Sequence, residues 1–311
     1  MLWKSMLDGQ MAEKTPYDKF IGIGGVNYHY REYPAPSKKK ARHVVMLHGF
    51  ASSTYTWEKI DRRLNEEGYH VWSLDMKGFG WSEKPRKSPY DTLTLLEEVA
   101  AWFEAMKIKD AVVVGNSYGG GIAVLLAFNY PSLVERVVPI DAGAFRMKLP
   151  LIMKLMKAPL SNEIGKLFYG KWVTRLILGE VYYNKKLLTD EQIEAYHQRM
   201  STANAIDTQV FLVKAIDFEV NHRYTDRLAE VKQKALILWG QNDKWIPLEI
   251  GYRFHEALPH SRMVVIPRCG HIPQEEKPEA VYRLISDFIR DRDVYKSLPG
   301  ELRGDVYYLK D

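Results

Sequence analysis

Gly115-Asn116-Ser117-Tyr118-Gly119 constrains this 311-residue chain more than any other stretch. An apolar run, Ala111-Val112-Val113-Val114, leads into it, and a helix-forming run from Gly120 to Phe128 leads out. β-Branched residues that give way at once to a helix, with G-x-S-x-G at the bend, predict a sharp strand–turn–helix corner. The glycines are needed because strand and helix approach so closely there that a Cβ would clash. The serine is then strained and exposed at the carboxyl edge of a sheet. The amino end of the following helix points at it and favours developing negative charge.

Serine is a poor nucleophile at neutral pH, so such a site needs a base, an acid to orient it, and donors for an oxyanion. The chain holds nine histidines, and position chooses among them. His271 lies just after an apolar strand, Met263-Val264-Val265-Ile266, in the turn-rich Cys269-Gly270-His271-Ile272-Pro273. It is the candidate base. Asp243 sits beyond the strand Leu236-Ile237-Leu238-Trp239, at the edge where open parallel sheets build their sites. Asp141, in Ile140-Asp141-Ala142-Gly143, also follows a strand and is the rival acid. The chain order Ser…Asp…His favours Asp243. The oxyanion donors are expected to be the backbone amides of Tyr118 and of Phe50, the latter in Leu47-His48-Gly49-Phe50. His48 reads as a residue that shapes this loop by hydrogen-bonding backbone, not as a second base.

These motifs, together with Asp75-Met76-Lys77-Gly78-Phe79-Gly80-Trp81-Ser82 and Gly240-Gln241-Asn242-Asp243, occur in one consistent order over about residues 20–292. In that order the chain resembles the α/β-hydrolase superfamily. The resemblance implies a Ser117–Asp243–His271 triad, acyl-enzyme chemistry, and no cofactor.

At this length the chain can bury one large core with a small inserted domain. Strand-like runs near 22–30, 43–47, 70–74, 111–114, 136–140, 235–239 and 262–266 alternate with helical patterns at 57–67, 93–106, 122–130, 248–258 and 278–290. Alternation of this kind predicts an α/β fold, a mostly parallel eight-stranded sheet covered by helices on both faces. The first strands lack an intervening helix, so that end is expected to be antiparallel. The organisation reads as an N-terminal extension at 1–20, a core from 21–144 and 231–292, a helical cap at 145–230, and a tail at 293–311. Cap side chains Phe168, Trp172 and Phe211, with His48, Gly49, Trp245 and Ile272 of the core, are expected to border the substrate. Leu149–Lys157 is apolar with interleaved lysines, and a packed lid helix is the preferred reading over a helix resting on lipid.

The net charge of +5 is spread over 44 basic and 39 acidic residues, which gives no argument for nucleic acid. The lone Cys269 forbids an internal disulfide and fits a reducing compartment. No apolar leader or spanning segment is visible, so a cytoplasmic protein without stable membrane insertion, monomeric or homodimeric, is expected. No His-Glu-x-x-His or similar spacing points to a metal.

Serine in place of aspartate at the corner argues against dehalogenase or epoxide-opening chemistry and for hydrolysis of carboxylic esters with apolar acyl groups. C–C bond hydrolysis of ring-cleavage products is the alternative, with a cap arginine such as Arg146, Arg175 or Arg199 to bind a carboxylate. A ligand receptor on the same scaffold is a further one.

Overall fold

The computed structural model describes residues 15–37, 41–217 and 224–294, with the backbone of 307–309. Its centre is one nine-stranded sheet in the order β1-β2-β4-β3-β5-β6-β7-β8-β9. The strands are β1 (Asp18–Ile23), β2 (Val26–Tyr33), β3 (His43–Leu47), β4 (His70–Leu74), β5 (Ala111–Asn116), β6 (Val134–Ile140), β7 (Lys234–Gly240), β8 (Ser261–Ile266) and β9 (Tyr307–Leu309). Strands β3 to β8 pair parallel, while β1, β2 and β9 are antiparallel to their neighbours. The eight expected strands are thus present, and the tail adds a short ninth.

Two boundaries differ from the sequence reading. The run at 22–30 is not one strand but a hairpin, because Gly24 and Gly25 both take positive φ, 58° and 80°, the geometry of a tight two-residue turn. The first strand also begins at Asp18, inside the supposed extension, because the buried Asp18 carboxylate pairs with His29 and Arg31 of β2.

The parallel strands are apolar on both faces because helices cover both. On one face Val45, Leu47, Val113, Val137, Ile237 and Val265 meet α2 (Thr92–Ala105), α3 (Tyr118–Asn129) and α9 (Leu248–Ala257). On the other, Val44, Met46, Val112, Val138, Leu236 and Val264 meet α1 (Asp61–Glu66) and α11 (Pro278–Ile289). The helices form where sequence rules place them. Asp91 caps α2 by accepting from the Thr94 amide at 3.0 Å, and Pro278 opens α11 at a position where its missing N–H costs nothing.

Between β6 and β7 lies the cap, with α4 (Leu151–Met156), α5 (Ser161–Phe168), α6 (Lys171–Val181), α7 (Asp190–Met200) and α8 (Ala205–Ala215). Thr189 and Gln192 close a reciprocal capping box at the start of α7. The expected lid helix forms as α4, but only one side of it packs. Met153 is buried, whereas Leu151 is 71% exposed and Leu155 58%.

Asp61 begins α1 yet is wholly buried, and burial pushes its carboxyl up to about 7 from an ordinary 3.8. The folded state therefore favours the neutral acid. Stability from this group is present below pH 3.8 and is lost as pH rises through about 7. Asp61→Asn cannot ionise, so its melting temperature relative to wild type should climb between about pH 4 and about pH 8. Thermal scans at both pH values that give the same difference would refute this.

Candidate active site

The site grows from the carboxyl ends of neighbouring strands. Ser117 ends β5 at φ 54° and ψ −119°, a conformation that costs a non-glycine residue about 1–3 kcal/mol and persists only where its surroundings enforce it. They do so by closeness. A Cβ on Gly115 would lie 2.2 Å from the Gly119 carbonyl oxygen, and one on Gly119 would lie 2.4 Å from the Leu47 and His48 carbonyl oxygens. The turn is also bonded to the end of β6, through Ser117 N–H to Ile140 O at 2.9 Å and Gly143 N–H to Ser117 O at 3.0 Å.

The loop after β3 abuts the serine, where a Cβ on Gly49 would be 2.9 Å from Ser117 Cβ. His48 sets this loop. Its Nδ1–H donates to Gly49 O at 2.7 Å and its Nε2 accepts from Met76 N–H at 3.1 Å. Burial lowers its basicity, consistent with the neutral tautomer that these two bonds require. The Tyr118 amide is the first free N–H of α3, and the Phe50 amide donates to no acceptor among the described residues. Both residues border the same cavity as Ser117.

His271 lies in the loop after β8, and its Nδ1 meets Asp243 Oδ2 at 2.7 Å, leaving Nε2 as the free ring nitrogen. The Asn116 side chain donates to His271 O at 3.0 Å, which joins the serine turn to the histidine loop. Trp245 stacks on the imidazole at 5.7 Å between ring centres. Asp243 is fixed from its other oxygen by the amides of Trp245 at 2.7 Å and Ile246 at 3.1 Å.

Asp141 is brought to the same place. Ligating atoms of Asp141, Asp243 and His271 all lie within 4.8 Å of one another, the one such cluster among the described residues. Burial, and then the Asp243 carboxylate, push the Asp141 carboxyl well above the usual range. One of its oxygens accepts from Gly240 N–H at 2.9 Å, while the other is buried with no donor. A proton on that second oxygen, shared toward Asp243, accounts for both facts. Asp243 thus meets the histidine directly, and Asp141, its carboxyl pushed above the usual range, stands behind it.

A cavity of about 860 Å³ opens on Ser117. Its wall includes Phe50, Tyr118, Leu125, Met147, Leu149, Met153, Leu212, Ile216, Tyr224 and Trp245, and among the described residues no Asp, Glu, Lys, Arg or His. Of the residues expected to border substrate, Trp245 lines this cavity, while His48 and Gly49 support it from the oxyanion loop. Ile272 is buried beside His271 but does not line it. Phe211 turns away to pack near Tyr90, and its neighbour Leu212 faces the cavity instead. Phe168 and Trp172 need correction most. They are 61% and 60% exposed. Helix α6 turns Thr174, Leu178 and Val181 inward instead of Trp172, and no side chain of α5 is buried.

Sequence reasoning missed Glu275 and Glu276, which lie in the short helix α10 (Pro273–Glu276). Both are buried. Glu275 accepts from the hydroxyls of Thr56 at 2.6 Å, Tyr182 at 2.8 Å and Tyr196. Glu276 accepts from the amides of Gly270 at 3.0 Å, Tyr183 at 2.8 Å and Asn184 at 3.1 Å. With His271 N–H donating to Val181 O at 2.8 Å, they bolt the cap to the histidine loop.

A family model described as alpha/beta hydrolase fold matches residues 42–278. An uncharacterised hydrolase, YugF, of Bacillus subtilis is 32% identical over 285 residues, 90% of this chain and 100% of that protein. A 2-hydroxy-6-oxo-6-phenylhexa-2,4-dienoate hydrolase of Burkholderia cepacia is 28% identical over 254 residues, 79% of this chain and 87% of its own. Among solved structures, a meta-cleavage product hydrolase from Pseudomonas fluorescens superposes with a TM-score of 0.74 at 23% identity. That match covers 88% of this chain and 97% of the other, and speaks for the fold.

The two aspartates separate experimentally. Asp243→Asn removes the acceptor that sets the His271 tautomer and should lower kcat of hydrolysis by about 10³–10⁴-fold. Asp141→Asn keeps the acceptor for Gly240 and supplies a donor toward Asp243, so kcat should stay within about threefold. The reverse pattern in steady-state kinetics would move the orienting role to Asp141.

Proposed function

The chain belongs to the α/β-hydrolase family, and on that premise we propose that it is a serine hydrolase of carboxylic esters with apolar acyl groups. One observation carries the ester reading: the cavity beside Ser117 offers an acyl chain apolar walls, with no charged side chain among the described residues that line it. Ser117 Oγ attacks the ester carbonyl while His271 Nε2 takes its proton, then returns it to the leaving alcohol. Asp243 holds Nδ1 and stabilises the imidazolium as it forms. The amides of Phe50 and Tyr118 receive the oxyanion, each such donor contributing about 3 kcal/mol to the barrier in comparable sites. Water then repeats the sequence on the acyl-enzyme and releases the acid.

A second reading is hydrolysis of a C–C bond in ring-cleavage products, as the names of several relatives that are 25–28% identical describe for those proteins. One feature of this chain favours it. The Arg199 guanidinium of the cap lies over the rings of Tyr55 at 5.1 Å and Trp81 at 5.3 Å, with no carboxylate in ion-pair range among the described residues. Burial lowers its basicity, so it is a cation short of a counter-charge. Arg199 does not line the cavity at Ser117, which leaves the ester reading ahead.

Hydrolysis of p-nitrophenyl esters from acetate to palmitate tests the choice. Turnover should peak at a medium acyl length and disappear in Ser117→Ala, whose melting temperature should stay nearly the same because alanine keeps the Cβ and the same backbone strain. Bleaching of a yellow ring-fission dienoate by wild type, lost in Arg199→Ala, with no ester turnover at any length, would replace the ester reading with the second.

A further inference from the structure

The outer surface of the cap is unlike the rest of the molecule. Among the described residues, ten of the twelve large apolar side chains that stand exposed fall between Leu151 and Leu187, and the other two are tyrosines. They recur at helical spacing. Leu151 and Leu155 lie one turn apart on α4, Ile164 and Leu167 on α5, and Trp172 and Leu176 on α6, between 57% and 76% exposed. Isolated exposed leucines are ordinary, but a run of this size on three successive helices marks a surface that something covers.

Charge says what covers it. Residues 145–187 contain nine basic and two acidic residues, a net of +7, against −2 for the remainder of the chain. Asp207, Glu194 and Asp190 from outside this segment pair with Lys166, Lys171 and Arg175, which leaves about +4 on it. Lys154 on α4 and Lys186 just beyond α6 are exposed, with no side-chain ion pair among the described residues. A second copy of the chain would set one net-basic face against another in a symmetric dimer, which Coulomb repulsion opposes. Leucines and a tryptophan ringed by lysines instead match an anionic lipid surface. There the apolar side chains enter the acyl boundary and the lysine heads reach the phosphates. No described helix is long and apolar enough to cross a membrane, so contact is from outside.

We propose that the outer face of α4, α5 and α6 docks the protein on anionic lipid surfaces. The face is joined to the active site by construction, since Leu151 and Leu155 point out from the same helix whose Met153 lines the cavity beside Ser117. A lipid acyl chain lifted from the surface would have one layer of helix to pass.

Co-sedimentation of the full chain with vesicles tests this. One set is phosphatidylcholine alone, and the other contains about 30% phosphatidylglycerol. Binding should be at least about tenfold stronger to the anionic set and should weaken in about 1 M salt, where the screening length falls to about 3 Å. L155D/L167D should reduce it at least about tenfold with p-nitrophenyl ester turnover in free solution unchanged. K154E/K186E alters only exposed lysines, so it keeps the test valid if the leucine variant does not fold, and it should also weaken binding. No sedimentation at low salt, or sedimentation untouched by both variants, overturns the proposal. So does a dimer in analytical ultracentrifugation that L155D/L167D dissolves in a protein that ignores vesicles. Binding is read separately from catalysis, so failure here leaves the ester reading standing, and an inactive Ser117→Ala that still sediments upholds the docking.

Discussion

A serine at φ 54° and ψ −119° exists only where nothing else competes for the space around it. That requirement propagates outward. Gly115 and Gly119 must lack side chains for α3 to press onto the carbonyls that end β3, and this contact brings the Gly49–Phe50 loop against the serine. The same turn takes a hydrogen bond from Gly143 and gives one to Ile140, so the end of β6 and Asp141 arrive beside it. With β3, β5, β6, β7 and β8 adjacent in one parallel order, the loops after them converge on a single edge. Backbone closeness around one residue thus brings Ser117, the Gly49–Phe50 loop and Asp141 to one place.

Behind the oxyanion loop stands a buried chain of charge. The Asp75 carboxylate accepts from Thr54 N–H at 2.6 Å, Trp81 N–H at 2.8 Å and His29 Nδ1 at 2.7 Å, and His29 Nε2 reaches Asp18 at 3.0 Å. Burial alone would lower the basicity of His29, but Asp75 and Asp18 together outweigh it and hold the ring protonated. Arg31 continues the chain from Asp18 at 3.0 Å. Two buried histidines, His29 on β2 and His48 just past the end of β3, are thereby set in opposite states by their partners. His29, between carboxylates, is a cation, and His48, between a carbonyl and an amide, is neutral. Removing one member would strand its buried partner, which costs more than the pair contributes. Such a chain anchors Thr54 and Trp81, the residues from which the loop before Ser117 is hung.

The parts legible in the sequence are those that local backbone chemistry dictates. Ser117, Asp243 and His271 each follow an apolar strand, and strand ends in a parallel sheet face one edge, so their convergence could be read without coordinates. The hairpin at Gly24-Gly25 was legible in principle, but an unbroken polar–apolar alternation masked it. Helix periodicity does not say which neighbour an apolar face meets, and the cap shows why. Met153 and Leu155 belong to one helix and one pattern, yet one lines the cavity and the other faces out. Phe168, Trp172 and Phe211 were misplaced for that reason. Glu275 and Glu276 carried no signal, since only their distant partners, Tyr182, Tyr196 and the amides near Asn184, make them interior residues.

Those two glutamates also decide how the cap can act. A cap that merely rested on the core could shift while the catalytic groups kept their places. Here Val181, Tyr182, Tyr183 and Asn184 are bonded to the loop that carries His271, through Glu275, Glu276 and the His271 amide itself. Burial raises the Glu275 carboxyl, and its three hydroxyl donors satisfy it in either protonation state. The carboxyl end of α6 is therefore tied to the loop that carries His271. The amino-terminal part of the cap, 147–156, borders the cavity and has no comparable bonds to that loop among the described residues. The wall of the cavity and the anchoring of the His271 loop thus fall on different parts of one inserted segment.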